Sequence, residues 1–181
     1  MKPRQALRVN GTECRRIRLS VSPDADFRSV LHALDSIEVP LPPLSYENVR
    51  FAILELVRNS ISAHRDANEQ RDILVELSCI RGTFGVTVRD FGGGFDPRKL
   101  PYRLEASPSS LDLTSRNFVE YRNRNGQRKF GIGISIAKKT FDRFRLEFLD
   151  KRDMPVPWIE GRIMGTRVTA EIFLEGASDD I

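Results

Sequence analysis

The segment "VTVRDFGGGFDP", residues 86–97, decides how the rest of the chain is read. Val86 and Val88 alternate with Thr87 and Arg89, the two-residue period of a half-buried strand. The run ends at Asp90, and Gly92, Gly93 and Gly94 follow. Glycines here permit positive φ and let a ligand approach the backbone closely. A carboxylate at such a strand end can accept a hydrogen bond from an amino group. A plain flexible turn is the competing reading of the same residues.

Immediately upstream, "DILVELSCI" places Ile73, Val75, Leu77 and Cys79 on one face, and "RGTFG" turns the chain, so the two runs form a hairpin. Before it, "ENVRFAILELVRNSISAHRD" is a long helix predicted from Tyr46 to about Arg65, capped by Ser45, with Val49, Ala52, Ile53, Leu56 and Ala63 inward. Proline-rich "VPLPPLS" separates it from a shorter helix, whose N-cap is Ser22 or Asp24 and whose Phe27, Val30, Leu31 and Leu34 share helical spacing. A strand at Ile17, Leu19 and Val21 precedes that helix. Downstream lie an irregular stretch of residues 96–129, a helix "ISIAKKTFDRF" with Ile134, Ala137, Phe141 and Phe144 inward, then strands "RLEFLDK" and "GTRVTAEIFL". The order predicts an α+β fold: a two-layer α/β sandwich whose mixed, mostly antiparallel sheet is covered on one face by about three helices. A single domain is expected at residues 14–176, between a mobile tail at 1–13 and a C-terminal tail at 177–181.

Composition bounds the function. The 181 residues are 40% hydrophobic and 30% charged, an ordinary globular balance. No apolar run is long enough to span a membrane, and no leader-type segment opens the chain, so a cytoplasmic protein is expected. Cys14 and Cys79 lack metal-ligand spacing and read as reduced thiols. The net charge of +4 is too mild for a dedicated nucleic-acid protein. Much of the positive charge falls in residues 115–130, readable as a solvated loop, a phosphate-facing lid or a nucleic-acid patch.

Three further segments carry chemistry. Glu55 and Asn59 lie four residues apart on one side of the long helix, at the edge of its apolar stripe. They could simply bond each other on a solvated flank. They could instead form a site facing the sheet, with an asparagine oxygen on Mg²⁺ and a glutamate activating a water or hydroxyl. "KFGIGISIAKK" sets Gly131 and Gly133 directly before a helix, a phosphate cradle or a tight turn. "MGTRV" sets Gly165 and Thr166 at a strand start. Asp90-Phe91-Gly92 also spells the magnesium triplet of protein kinases. That family needs an upstream glycine loop, a V-A-I-K lysine and an H-R-D loop, and none occurs here. A P-loop is absent as well.

Taken together, "ELVRN", "DFGGGFD", "FGIGIS" and "GT" resemble, in order, the four boxes of the ATP-binding fold shared by gyrase, heat-shock chaperones, histidine kinases and mismatch-repair proteins, the GHKL or Bergerat fold. The resemblance implies ATP and Mg²⁺ as cofactors. It implies Asn59 as the Mg²⁺ ligand and Glu55 as general base. Asp90 would accept from the adenine amino group, with Thr166 nearby through water. Gly92 and Gly94 would shape the adenine pocket, Gly131 and Gly133 would cradle phosphate, and Ala63, Phe95 and Ile132 would be further nucleotide-binding positions. Residues 97–130 would be the ATP lid.

Within the family, the layout is most similar to bacterial anti-sigma-factor serine kinases. That implies a regulatory kinase acting on a protein partner, such as a sigma factor and its antagonist, and able to form a homodimer. Departures are Ala63 where the family often carries histidine, with His64 one residue later, Ser60 in place of alanine, and a long basic lid. His32 lies in "SVLHALDS", without the acidic and arginine neighbours of a phospho-accepting histidine. The alternatives are an ATPase or ATP-gated switch, with which a stand-alone histidine-kinase catalytic module belongs, and a non-catalytic nucleic-acid-binding module.

Overall fold

The computed structural model describes residues 6–107, 110, 112, 114–125 and 131–174. The strand and helix patterns assemble into two layers. Strands β3 (Arg16–Val21), β5 (Ile73–Ile80), β6 (Thr83–Arg89), β7 (Arg143–Leu149), β8 (Pro155–Val156) and β9 (Gly165–Phe173) form one sheet in the order β3-β5-β6-β9-β7-β8. Every pairing in it is antiparallel. Helices α1 (Phe27–Asp35), α2 (Pro43–Ala67), α3 (Arg116–Asn125) and α4 (Gly131–Thr140) complete the main elements.

α2 packs on β5, β6, α1 and α4. Its predicted stripe of Val49, Ala52, Ile53, Leu56 and Ala63 is buried, as are Ile73, Val75, Leu77 and Cys79 of β5. Burying each branched side chain contributes about 2 kcal/mol. The opposite face of the sheet carries charge: Arg16 and Arg18 pair with Glu76, Arg145 and Arg167 with Glu147, and Arg143 with Glu171. Such a network of ion pairs, within β7 and across strands, suits a solvated face, which is why one helical layer suffices.

Several expectations need correction. Part of the predicted N-terminal tail is paired: β1 (Leu7–Val9) and β2 (Thr12–Cys14) form a hairpin, and β1 also pairs β4 (Ile37–Glu38). Three-residue strands are too short to show a period, but the Asn10-Gly11 turn, with φ of 50° and 77°, was a readable signal. Residues 1–5 and 177–181 lie outside the described residues. The N-cap of α1 is Asp26, whose side chain accepts from the Arg28 N–H, and Phe27 is exposed. α2 starts at Pro43 rather than Tyr46, because proline suits the first helical position and leaves Ser45 inside. The stretch at 96–129 is not wholly irregular. It holds a 3₁₀ turn at Pro97–Lys99 and helix α3, led by Ser115 and supported by an Arg116–Glu120 pair. Phe144 belongs to β7, not to the preceding helix. Gly131 and Gly133 lie within the first turn of α4 instead of before it.

Candidate functional site

α2 presents Glu55 and Asn59 toward α4. Glu55 is 6% exposed, and its Oε2 accepts from Arg58 Nη2 at 2.5 Å. The Nδ2 of Asn59 is buried and makes no hydrogen bond. Nδ2 is the only donor that could join this pair, so the Glu–Asn bond on a solvated flank does not form. A Cβ on Gly133 would lie 2.8 Å from Asn59 Nδ2 and 3.2 Å from Glu55 Oε2. The glycine therefore lets the start of α4 lie directly over both polar side chains. An unpaired buried amide beneath a helix N-terminus is a donor in need of an acceptor, and phosphate oxygens supply one. Ser60, unlike Asn59, is satisfied: its hydroxyl donates to the Leu56 carbonyl at 3.1 Å.

β6 and β9 are neighbours, so Asp90 and Thr166 meet although far apart in sequence. Asp90 Oδ1 accepts from the N–H groups of Gly92 at 3.0 Å and Thr166 at 3.3 Å, and Oδ2 accepts the Thr166 hydroxyl. Three donors leave about one lone pair of the carboxylate for a ligand. Burial raises the Asp90 pKa, and the hydrogen bonds from Thr166 and Gly92 oppose that rise. Gly93 and Gly94 take φ of 77° and 71°, the left-handed region expected of this loop. A Cβ on Gly92 would lie 2.6 Å from the Ala63 carbonyl carbon and Cβ and 2.8 Å from the His64 nitrogen, so the missing side chain at 92 is what lets the loop lie against α2. Phe95 packs edge-on against Phe148 with ring centroids 5.5 Å apart. The side chain of Ile132 is outside the described residues.

Two contributors were not assigned from sequence. His64 is fully buried, and its Nε2 accepts from the Phe91 N–H at 2.8 Å. The ring is thus neutral, with its proton on Nδ1. Phe91 itself lies between the guanidiniums of Arg71 and Arg89, 4.1 and 4.0 Å from its ring centroid. The second is Lys138 of α4, 4% exposed, whose Nζ donates to the carbonyls of Leu104 and Ala106. It ties the segment after Pro97 to the helix above Glu55. Phe118 of α3 stacks on Tyr102, centroids 6.0 Å apart. No spacing rule reveals a lysine that bonds remote carbonyls; an amphipathic helix with a lysine on its inner side was the only hint.

His64 makes stability depend on pH. Burial lowers its pKa, while Asp90, Glu69 and the Arg71 carbonyl pull it up and the Arg71 charge pulls it down. A group whose folded pKa lies below its unfolded value, about 6.5 for histidine, contributes fully above that value. The contribution is lost as pH falls through 6.5 toward the lower folded pKa, because a protonated ring cannot accept from Phe91. Urea unfolding at pH 7.5 and 5.5 should therefore show a larger loss on acidification in wild type than in His64→Leu. Asp90 titrates with the opposite sign in both proteins. Equal losses would remove His64 from this role.

Among the described residues no group of three or more His, Cys, Asp or Glu could hold a metal ion, so a cage built from protein alone is not formed there. Glu55 and Asn59 offer hard oxygen donors of the kind Mg²⁺ takes singly alongside phosphate and water. Among the described residues no helix is long and apolar enough to cross a membrane. Residues 20–153, about three quarters of the chain, match the family model for a histidine kinase-like ATPase domain. The match includes Glu55, Asn59, Asp90 and α4 and stops before Thr166. No curated protein matches the chain.

Proposed function

The chain belongs to the histidine kinase-like ATPase domain family, and from that membership we propose that it is an Mg·ATP-dependent regulatory serine or threonine kinase of anti-sigma type, acting on a protein partner. The carrying observation is the buried Glu55 beside the unpaired Asn59 amide, both under Gly133 at the start of α4. Asn59 would hold the metal through its side-chain oxygen, with Nδ2 left to a phosphate oxygen. Mg²⁺, when bound, neutralises charge on the transferring phosphate. Glu55 takes the proton from the acceptor hydroxyl. The N–H groups of the α4 N-terminus hold phosphate, and Lys138 keeps the segment around Leu104 and Ala106 against that helix.

Asp90 reads the base. Asp90→Asn should lower the preference for ATP over GTP about tenfold, read as the ratio of their calorimetric Kd values. An unchanged ratio would move the adenine contact elsewhere. Thr166 supports Asp90 from the adjacent strand.

Incubation with γ-labelled ATP and a candidate partner tests the reaction. Acid-stable label on the partner supports a hydroxyl acceptor. Acid-labile label marks a histidine acceptor and overturns the serine kinase reading. Released phosphate without labelled protein favours a second reading, an ATPase or ATP-gated switch. The Lys138 tie between α4 and the segment after Pro97 is the observation that favours it.

A further inference from the structure

Glu55 has one hydrogen-bond partner among the described residues: Arg58 Nη2, which donates to Oε2. Oε1 has none among them. The two ends of this pair lie in different surroundings. The Glu55 side chain is 8% exposed, the most buried carboxylate of any ion pair among the described residues, whereas the Arg58 side chain is 53% exposed. Glu147 is nearly as buried but is held by two arginines. The Arg116–Glu120 pair of α3 shows the ordinary case, with both ends in solvent. Oε2 and the unpaired Asn59 Nδ2 both lie against the start of α4, where the Gly133 Cβ would be. The carboxylate that meets Arg58 therefore borders the place proposed for phosphate.

We propose that Arg58 is a positioning residue for phosphoryl transfer: it holds Glu55 ionised through Oε2 and leaves Oε1 to take the proton of the attacking hydroxyl. The inference rests on Glu55 as the base. A carboxylate out of water and facing phosphate either takes up a proton, which ends its use as a base, or pairs with a cation. Arg58 brings that cation in from the solvent side, and a guanidinium keeps its charge at any pH the protein meets. A charge-assisted bond also fixes the carboxylate in one orientation. With Oε2 engaged, Oε1 is the oxygen with lone pairs to give. As the hydroxyl oxygen bonds the terminal phosphorus, its proton passes to Oε1, and the broken phosphorus–oxygen bond leaves its electron pair on ADP. A pair that only steadied α2 would show in unfolding and leave the rate alone.

Single-turnover rates and calorimetric Kd values for Mg·ATP test this. Arg58→Ala should lower the rate about thirtyfold and leave Kd within about threefold. Free guanidinium, far below denaturing concentration, should restore part of the loss, because the place left by Arg58 opens to solvent. Arg58→Lys keeps the charge and loses only the planar fork, so its loss should stay near fivefold. In the Glu55→Gln background, Arg58→Ala should cost no further rate, since a residue that acts through Glu55 has nothing left to act on. An unchanged rate in Arg58→Ala, no recovery with guanidinium or lysine, or an equal loss in the Glu55→Gln background would each overturn the proposal. So would a raised Kd at an unchanged rate, which would assign Arg58 to the nucleotide itself. Absence of turnover in wild type removes Glu55 as base and this inference with it. Wild-type turnover that Arg58→Ala leaves intact removes the inference alone.

Discussion

Glu55→Gln is expected to lower phosphoryl transfer about a thousandfold while leaving Mg·ATP affinity within about threefold. Glutamine keeps the size of the side chain and an oxygen that can still accept from Arg58, now 2.5 Å from Oε2. It removes the capacity to take a proton. The change therefore separates chemistry from binding. Asn59→Ala should do the reverse of a pure chemical lesion and weaken Mg·ATP binding strongly, since it deletes both the oxygen offered to the metal and the unpaired Nδ2. Calorimetry gives the affinities, and label transfer or phosphate release gives the rates. Full turnover in Glu55→Gln would end the assignment of Glu55 as base, whatever the fate of Asn59. The variant should also keep its urea midpoint, because no packing is lost; a large drop in stability would mean the rate loss reports misfolding.

What the sequence revealed, and what it hid, follows from the range of each interaction. The pair Glu55 and Asn59 was visible because a helix places residues four apart side by side whatever else the chain does. Asp90 was visible because the alternation of β6 ends there. The buried stripe of α2 and the alternation of β5 were visible for the same local reasons. His64 was harder. The residue is one position beyond where the family pattern leads, and its partner is a backbone N–H on a loop 27 residues away. α3 was hidden because arginine and asparagine dominate it, and among its described side chains Phe118 alone is buried. Gly131 and Gly133 misled in a different way. Glycine suggests a turn, yet here Gly133 is helical and is small because Glu55 and Asn59 lie against it. The reason for that glycine is on another helix, where no local rule can see it.

Gly165 carries the second large effect, and again the cause is non-local. Its φ is not in the left-handed region, so backbone conformation alone would accept alanine. The obstacle is β6. A Cβ on Gly165 would lie 2.8 Å from the carbonyl carbon of Asp90 and 2.9 Å from the Phe91 Cα, and closer still to the Asp90 carbonyl oxygen. All three are main-chain atoms, so no rotamer change relieves them. The strands must part where the Asp90 N–H bonds the Thr166 carbonyl at 3.0 Å and the Thr166 hydroxyl bonds the Asp90 carboxylate. Gly165→Ala should therefore cost about 3 kcal/mol or more in urea unfolding, the upper end for overpacking. Nucleotide binding should fail even in the fraction that remains folded. Gly161→Ala is the matched control: φ is 74°, nothing lies within 4 Å of its Cβ, and the cost should stay near 1 kcal/mol. The contrast separates steric from conformational demand. If Gly165→Ala is as mild as Gly161→Ala, then β6 and β9 are not packed in this register at Asp90, and Thr166 is not its partner.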